Sequence, residues 1–278
     1  DIITEEINAG KKIRVVGDYD IDGVCSSYIL VKALKYFGAN VDVRIPDRIK
    51  DGYGINDNII KDAASDGVDM IITCDNGIAA HSQMELARKL GIKVIITDHH
   101  EVYQENERDL LPVANVVINP KRSDCEYPFK SICGGLVAYK LMEYIYEKRN
   151  NGKKIYDDPE LKDLLEVAAI ATVGDVMPLI DENRILVKNG LKSLMNTNNL
   201  GLQALIKATG MDGKKLSAYS IGFVLGPCLN AGGRLENALI ALNMFMAESK
   251  EEADEYAEHL KELNDERKDL TLKNVKRA

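Results

Sequence analysis

The sequence contains no hydrophobic run long enough to span a membrane and no signal-peptide pattern at its start, so no membrane partner is expected. It also contains few cysteines, and their number, five, is odd. No two of them are spaced as Cys-x-x-Cys, which argues against structural zinc and against a disulfide framework. A reducing, cytoplasmic compartment is therefore the expected location.

The sequence also has no excess of basic over acidic residues, and its net charge is −8. This argues only weakly against a nucleic-acid partner, because bound metal ions would offset several acidic charges. With 45% hydrophobic and 29% charged residues, the composition is that of an ordinary globular protein. The 278 residues can bury a full core, as one large domain or two modest ones.

The most informative stretch spans residues 17–23, where Asp18, Asp20 and Asp22 alternate with other residues after a predicted buried strand at 13–16. In an extended backbone the three carboxylates point the same way, and they repel one another unless a cation lies between them. Divalent cations are suited to carboxylate oxygen, so the stretch predicts a metal site.

Two other interpretations of this stretch are possible. A calcium loop of the EF-hand type requires a bidentate Glu at its twelfth position, where this sequence has Ile29, and the preceding residues resemble a strand rather than a helix. An Asp-rich turn that only caps the next helix needs one Asp, not three. The metal site is favoured over both.

Strand and helix patterns alternate along the first half of the chain, which predicts an α/β fold with a mostly parallel sheet flanked by helices. Further strands are predicted at residues 41–45, 70–74, 94–97 and 116–118, and helices at 24–37, 57–64, 80–90, 136–147, 160–172, 184–195 and 202–209. The fold is expected to continue as a helical segment and to finish with a long, charged C-terminal helix over residues 250–276.

The acidic and histidine residues lie where predicted strands end, which is the ligand-binding edge of such a sheet. Asp20, Asp22, Asp75, His99 and Asp175 together would supply carboxylate and imidazole ligands for Mn²⁺ or Mg²⁺. A carboxylate such as that of Asp75 can bridge two ions about 3.5–4 Å apart, as in two-metal phosphoryl-transfer sites.

These residues resemble the DHH family of phosphoesterases, named for the triplet Asp98-His99-His100. Further motifs that carry the resemblance are residues 17–23, Asp75-Asn76-Gly77 and residues 174–179. Within the family, residues 45–54 and 229–234 are similar to segments of the RecJ group of single-strand exonucleases. The resemblance extends from residue 12 to about residue 268.

The resemblance implies that Asp20, Asp22, Asp75, His99 and Asp175 ligate two metal ions and belong to the catalytic set, together with Asp98 and His100. Asp18 stands where other branches of the family have a histidine ligand. His100 would contact the scissile phosphate, and Arg234 would bind a terminal 5′-phosphate, for which a guanidinium is well shaped. An exposed arginine at a helix start explains Arg234 equally well.

Further substrate contacts are expected from Arg48, Tyr53 and Asn230. Arg48 and Tyr53 lie in a glycine-containing loop and would offer a cation for the backbone and an aromatic face for a base, though a solvated loop is the alternative. Gly134 and Gly135 at a helix start either offer backbone N–H groups to an anion or permit close helix packing.

The resemblance implies a catalytic domain over residues 1–185 and a helical extension over 186–278, without the family's DHH-associated domain. It implies 5′→3′ hydrolysis of single-stranded DNA to 5′-mononucleotides, and it leaves open a single-strand-binding protein or a helicase as partner. A family member acting on small substrates (oligonucleotides, cyclic dinucleotides or pyrophosphate) is the alternative. A non-catalytic scaffold is disfavoured because every expected ligand position carries Asp or His.

Overall fold

The computed structural model describes residues 1–48 and 50–277. The elements of the α/β part are α1 (Ile2–Asn8), β1 (Lys12–Val16), α2 (Ile21–Tyr36), β2 (Asn40–Arg44), α3 (Asp57–Ser65), β3 (Met70–Cys74), α4 (His81–Lys89), β4 (Lys93–Thr97), β5 (Gln104–Glu105), β6 (Arg108–Asp109) and β7 (Val116–Ile118). The remaining elements are α5 (Gly134–Arg149), a short 3₁₀ turn (Ile155–Asp157), α6 (Asp163–Gly174), α7 (Asp181–Leu194), α8 (Leu200–Ala208), α9 (Ala218–Ser220), a π-helical segment (Ile221–Leu225), α10 (Gly226–Leu235), α11 (Leu239–Met246) and α12 (Lys250–Arg277).

Five strands form one parallel sheet in the order β2-β1-β3-β4-β7. The predicted α/β class, flanking helices and long last helix are confirmed. Because β1 is followed by β2 on one side and by β3 on the other, the strand order reverses between β1 and β3. In sheets of this type the ligand crevice opens at that reversal, outside the carboxyl ends of the strands.

Helices cover both faces of the sheet, which explains why its central strands are apolar on both sides. Val15 and Ile72 face the helices α2, α5 and α6, whereas Ile71 and Ile96 face α3 and α4. All five residues of β3 are buried. Packing on both faces fixes the sheet, so that residues at the carboxyl ends of its strands have well-defined positions for a ligand site.

The helical segment shares its core with the sheet. One cluster of buried apolar side chains extends from Ile3 in α1 to Leu260 in α12 and includes residues of α8, α10 and α11. The boundary predicted between residues 185 and 186 falls inside α7, and the division into two domains stays a prediction. None of the helices in the described part of the chain is both long and apolar enough to cross a membrane.

Most predicted elements are present, with ends shifted by a few residues. Helix α2 begins at Ile21 instead of the predicted Val24, because the Asp20 side chain accepts hydrogen bonds from the backbone N–H groups of Asp22 and Gly23 and caps the helix there. Helix α1 and the antiparallel β5–β6 pair were not predicted. Neither was α10, whose sequence opens with Gly226 and Pro227.

Candidate metal centre

The three aspartates after β1 all lie at the carboxyl edge of the sheet, but the prediction that their side chains point the same way is wrong. Alternation along an extended strand does not apply, because β1 ends at Val16 and Asp22 already lies in the first turn of α2. The sharp turn from strand to helix directs Asp18 and Asp20 to one side of the site and Asp22 to another. Asp18 and Asp22 are each 1% exposed, so their carboxylates have left water.

The Asp22 carboxylate is held by the first turn of α5. The backbone N–H groups of Gly134 and Gly135 donate to its Oδ2 and Oδ1, each at 2.7 Å. The anion that this glycine pair binds is the side chain of Asp22, and the pair also permits close helix packing, since a Cβ on Gly135 would lie 2.6 Å from the Cβ of Ala171 in α6. A Cβ on Gly134 would lie 2.8 Å from the Cβ of Asp75, so no larger residue fits without displacing that aspartate.

Asp75 follows β3 and has a backbone φ of 59°, a left-handed conformation that aspartate tolerates better than most residues. Its side chain is buried, and its Oδ1 makes no hydrogen bond within the described part of the chain. Such a conformation persists only where the surrounding structure enforces it, which is common at functional sites.

His99 lies at the centre of the carboxylates. Its Nε2 is 3.1 Å from Asp75 Oδ1, 3.5 Å from Asp22 Oδ2 and 3.6 Å from Asp175 Oδ2. Burial lowers the pKa of His99, which favours the neutral imidazole that metals bind. Asp175 terminates α6, and its Oδ2 also has no hydrogen-bond partner among the described residues.

The predicted ligands fall into three overlapping groups, and within each group the candidate ligand atoms lie within 4.8 Å of one another. The groups are Asp18, Asp20 and Asp75; Asp22, His99 and Asp175; and Asp75, His99 and His100. Because Asp75 and His99 each belong to two groups, the arrangement has room for two neighbouring ions that share ligands.

Burial and repulsion between neighbouring carboxylates raise the pKa of these acids. Burial and the charge of Asp20 raise the pKa of Asp18 to about 7. Burial and the charge of Asp175 raise the pKa of Asp22 to about 6, although His99 opposes the shift, and burial with neighbouring carboxylates raises the pKa of Asp75 as well. Crowded buried carboxylates with unsatisfied oxygens fit a site for hard divalent cations, and the added imidazole suits Mn²⁺ better than Mg²⁺.

The Asp98 carboxylate stabilises the turn that contains His99 and His100. Its Oδ1 accepts from the backbone N–H groups of His99 and His100, and its Oδ2 accepts from that of Ile78. Oδ1 also lies 2.7 Å from Nδ1 of His100. Asp98 was predicted in the catalytic set, and its carboxylate faces these partners, which makes it a positioning residue for His100.

His100 stands at the open side of the site, with its side chain 46% exposed. Contact with Asp98 raises its pKa, which favours the cationic form. The hydroxyl of Tyr53 lies 3.3 Å from its Nε2 and donates to the backbone oxygen of Asp75 at 3.1 Å. Arg48 lies over the ring of Tyr19, with Cζ 5.7 Å from the ring centroid. The loop is therefore joined to the site and is not merely solvated.

The other two predicted substrate residues lie on α10. The amide oxygen of Asn230 accepts from the backbone N–H of Ile21, so this side chain also braces the turn between Asp20 and Asp22. Arg234, near the end of α10, is exposed and lines a small cleft with Asn230. It lies near the end of a helix and not at the helix start considered as its alternative.

The sequence analysis named Asn76 only as part of the motif Asp75-Asn76-Gly77 and assigned it no role, yet its side chain connects three segments. Its Nδ2 donates to the backbone oxygens of Val16 and Cys74, and its Oδ1 accepts from Ile55 N–H. It thereby ties the loop of Tyr53 to the ends of β1 and β3. Its position next to Asp75 was the only available signal.

The model of the "DHH family, N-terminal domain" matches residues 12–172. A curated relative, the "Single-stranded-DNA-specific exonuclease RecJ" of Bacillus subtilis strain 168, is 41% identical over 279 residues, which cover 100% of this chain and 33% of that protein. The chain thus spans about a third of the length of that relative.

Solved structures agree with this result. A crystal structure of exonuclease RecJ bound to manganese has a TM-score of 0.87 and 31% identity, with 99% of this chain and 67% of that chain covered. RecJ from Thermus thermophilus in complex with Mg²⁺ has a TM-score of 0.73 and 27% identity, with 99% of this chain and 35% of that chain covered. Relatives with this fold therefore bind both of the metals that the donor set favours.

Proposed function

The chain belongs to the DHH family, and we propose that it is a metal-dependent nuclease that releases 5′-mononucleotides from the 5′ end of single-stranded DNA. The observation that carries this proposal is the convergence of Asp22, Asp75, His99 and Asp175 at the point where the strand order of the sheet reverses. Similarity to single-strand-specific RecJ exonucleases over the whole chain supports the substrate. The same similarity disfavours the small-substrate alternative.

Two divalent ions would be held, in this proposal, by Asp18, Asp20 and Asp75 on one side and by Asp22, His99 and Asp175 on the other. Asp75 would lie between them, since its Oδ1 is 3.1 Å from Nε2 of His99. Bound Mn²⁺ or Mg²⁺ supplies a water of lowered pKa and neutralises charge on the phosphate under attack. The protein contributes the fixed spacing of these ligands, through the N–H groups of α5 and the cap of α2.

His100 is the group proposed to contact the scissile phosphate. Its ring is exposed at the mouth of the site, and Asp98 fixes its orientation through a 2.7 Å contact to Nδ1. The raised pKa favours an imidazolium, which would donate a charge-assisted hydrogen bond to a phosphate oxygen. Tyr53, beside it, restricts the ring further.

The rest of the strand is proposed to follow the loop of Arg48 and Tyr53 and the cleft of Asn230 and Arg234. Tyr53 is 55% exposed although its hydroxyl is anchored, so part of the ring is available to a base. Stacking on such a ring contributes about 1–3 kcal/mol per base. Arg234 has no hydrogen bond or ion pair within the described part of the chain and is free to bind a terminal phosphate.

A cytoplasmic location, a role in DNA repair and recombination, and a single-strand-binding protein or a helicase as partner also belong to this proposal. The location is supported by the cysteines, all five of which are free thiols. Free thiols without disulfides are the usual state of cysteines in a reducing compartment.

The test is digestion of 5′-phosphorylated single strands of graded length, including dinucleotides, with Mn²⁺, Mg²⁺ or chelator present. Shortening from the 5′ end only with metal is expected, and Asp22→Asn and Asp175→Asn should each lower the rate at least about a thousandfold. The control is Asp212→Asn, because Asp212 is exposed and belongs to none of the three ligand groups. Strands left unaltered with every metal would contradict the nuclease, and cleavage confined to dinucleotides would establish the small-substrate alternative.

A further inference from the structure

A lysine with no role assigned so far lies beside the candidate metal centre. Lys121 follows β7, the edge strand of the sheet, at the same carboxyl edge as His99 and His100. Burial lowers the pKa of His99, and the positive charge of Lys121 adds to that effect. Burial and the charge of Asp20 raise the pKa of Asp175 to about 6, and the charge of Lys121 opposes that rise. Lys121 therefore belongs to the electrostatic surroundings of the site.

The backbone of Lys121 is fixed by Asn119, a buried residue of the same turn. Asn119 Nδ2 donates to the backbone oxygen of His100 at 2.9 Å, and its Oδ1 accepts from the backbone N–H of Lys121 at 2.8 Å. One side chain thus connects the turn of His100 to the turn of Lys121. Because Asn119 is 3% exposed, both hydrogen bonds are shielded from water, which strengthens them.

The side chain of Lys121 is held only weakly by the protein itself. Its Nζ lies 2.8 Å from Oε1 of Glu101, whose side chain is 84% exposed. An ion pair so open to water contributes at most about 1 kcal/mol, so a stronger anion can displace it. The adjacent Arg122 differs, because its guanidinium donates to the Asp124 carboxylate and to the backbone oxygen of Val117. Lys121 is therefore the cation of this turn that a ligand can recruit.

A cleft of about 460 Å³ is lined by Tyr53, His100 and Glu101, together with two buried isoleucines. Apolar lining with an aromatic side chain suits a nucleobase, and the volume is in the range of small-molecule sites. The Glu101 carboxylate would repel the backbone phosphate of a nucleotide bound there unless a cation offset its charge. Lys121, paired with Glu101, supplies that charge.

The order of the strands indicates which phosphate Lys121 can reach. Arg234, the residue proposed to bind a terminal phosphate, lies on α10, which contacts the turn after β1 through Asn230. His100 follows β4, and Lys121 follows β7, which lies next to β4 and three strands from β1. A single strand that runs from Arg234 past His100 therefore reaches Lys121 with a phosphate on the 3′ side of the scissile one.

We propose that Lys121 binds the backbone phosphate next to the scissile phosphate on its 3′ side, in competition with Glu101. This inference rests on the proposed function and adds a residue that positions the strand on the far side of the cut. In the free protein the ammonium group is neutralised by Glu101, and in the complex it contacts the phosphate instead. Such a contact positions the strand without reading its sequence.

The test is equilibrium binding of the full 278-residue chain to short, 5′-phosphorylated oligothymidylates with a 3′ fluorophore, in chelator to prevent cleavage. Lys121→Met should weaken binding about three- to tenfold at low salt, because one phosphate contact is lost. The slope of log affinity against log salt concentration should fall in magnitude by about 0.7, the value for one phosphate of a single strand. Lys121→Arg should retain most of the affinity, because the charge is kept.

Uncharged methylphosphonate linkages identify the phosphate that Lys121 contacts. One strand carries the neutral linkage second from its 5′ end, and another carries it near its 3′ end. Lys121→Met should weaken binding of the second strand as much as that of the unmodified strand, but should change binding of the first by less than about twofold. An equal loss for all three strands would overturn the inference, because Lys121 would then act through its general charge.

Lys11→Met is the matched control, since Lys11 also forms an ion pair of 2.9 Å, with Asp69, but precedes β1 at the opposite edge of the sheet. It should leave the affinity and the salt slope unchanged. Glu101→Gln should raise the affinity about two- to fivefold, because the competing carboxylate is removed. Equal effects of Lys11→Met and Lys121→Met, or an affinity that Glu101→Gln leaves unchanged or lowers, would each overturn the inference. A thermal melt identifies a folding defect, and Glu101→Gln still decides if Lys121→Met does not fold.

The two proposals fail in different ways. Metal-dependent cleavage of single strands, together with an unchanged affinity in Lys121→Met, would overturn the role of Lys121 and leave the nuclease intact. The expected pattern of binding without cleavage under any metal would overturn the nuclease and support the phosphate contact of Lys121.

Discussion

Nε2 of His99 lies 3.1 Å from Oδ1 of Asp75, although the two residues follow different strands of the sheet. Strands β3 and β4 are paired in parallel register, with Cys74 opposite Thr97, so the residues that follow them meet at one edge. Asp75 Oδ1 makes no hydrogen bond among the described residues. This contact is the centre of the proposed metal site.

Replacing Asp75 by Asn is expected to weaken Mn²⁺ binding by more than about a hundredfold, the upper range of the loss seen for residues that only support a ligand. Asp75 belongs to the group with Asp18 and Asp20, and its Oδ1 lies 3.1 Å from Nε2 of His99 in the other proposed group, so its loss should affect both ions. Isothermal titration calorimetry measures the affinity and the number of ions bound. Asp212→Asn is the control, and unaltered binding by Asp75→Asn would contradict the assignment.

The same substitution should have the opposite effect on the metal-free protein. Burial and neighbouring carboxylates raise the pKa of Asp75, so its charged form is unfavourable in the fold. A neutral Asn removes that repulsion, and the metal-free variant is expected to melt a few degrees above the wild type. Excess Mn²⁺ should stabilise the wild type more than the variant. Equal melting temperatures in chelator would argue against crowding of charge at this site.

Asp98→Asn separates positioning of His100 from metal binding. The Asp98 carboxylate contacts Nδ1 of His100 and backbone N–H groups, and it belongs to none of the three ligand groups. We expect strand cleavage to slow by about 10- to 100-fold while Mn²⁺ affinity changes only a few-fold. Parallel calorimetry and single-turnover cleavage provide both numbers. A loss of metal affinity as large as the loss of rate would refute the separation.

The site and the fold were accessible from the sequence to different degrees. The strands were placed well because their apolar runs are buried on both faces, as in β3. The order of the strands in the sheet was not predicted, because an apolar run does not indicate which strands will lie beside it. The pairing β2-β1-β3-β4-β7 depends on how α2, α3 and α4 cross the sheet.

Among the candidate residues, those in compact sequence motifs were identified from the sequence. Those that act through tertiary contacts were either missed or predicted to have a different role. The sequence named Asn76 only as part of the motif Asp75-Asn76-Gly77 and gave it no role of its own, because its partners Val16 and Ile55 lie on distant segments. Asn230 was expected at the substrate, yet its amide oxygen is used by Ile21. The carboxylate of Asp98 likewise faces the backbone of its own turn, which no spacing rule predicts.

A buried polar network makes Asp163→Ala the most damaging substitution expected away from the site. The Asp163 carboxylate, 3% exposed, accepts from the Tyr28 hydroxyl at 2.6 Å, from Lys32 Nζ at 2.7 Å and from Asn199 Nδ2 at 3.0 Å. Its removal leaves the buried Tyr28 hydroxyl without its acceptor and the partly exposed Lys32 without its counter-charge, whereas Asn199 keeps the Phe245 carbonyl as an acceptor, so we expect a loss of about 2–3 kcal/mol in the free energy of unfolding. Urea denaturation measures this loss. Glu160→Ala, at an exposed position nearby, should change it by less than about 0.5 kcal/mol.

Asp42 provides a stability contribution that depends on pH. Burial alone would raise its pKa, but the hydrogen bonds and charge of Arg14, at 2.7 and 2.8 Å, outweigh burial and hold the pKa below its usual value. An acid with a depressed pKa stabilises the fold above its unfolded pKa and loses that contribution as the pH falls through the folded one. Asp42→Asn should therefore cost about 1 kcal/mol at neutral pH, since the pair is partly exposed, and progressively less below about pH 4.

Urea denaturation of wild type and Asp42→Asn across that pH range checks this dependence. Asp212→Asn again serves as the control, with no pH-dependent difference expected. If the difference in the free energy of unfolding between wild type and Asp42→Asn stayed constant down to about pH 2, the effect would come from packing and not from the charge of Asp42.

The most direct test of the metal centre is anomalous X-ray diffraction from crystals of this chain soaked in Mn²⁺. We predict two manganese peaks about 4 Å apart, one beside Asp18, Asp20 and Asp75 and the other beside Asp22, His99 and Asp175. Both peaks should be contacted by Asp75. Manganese at another surface, or no manganese near Asp75 at saturating concentration, would contradict the account.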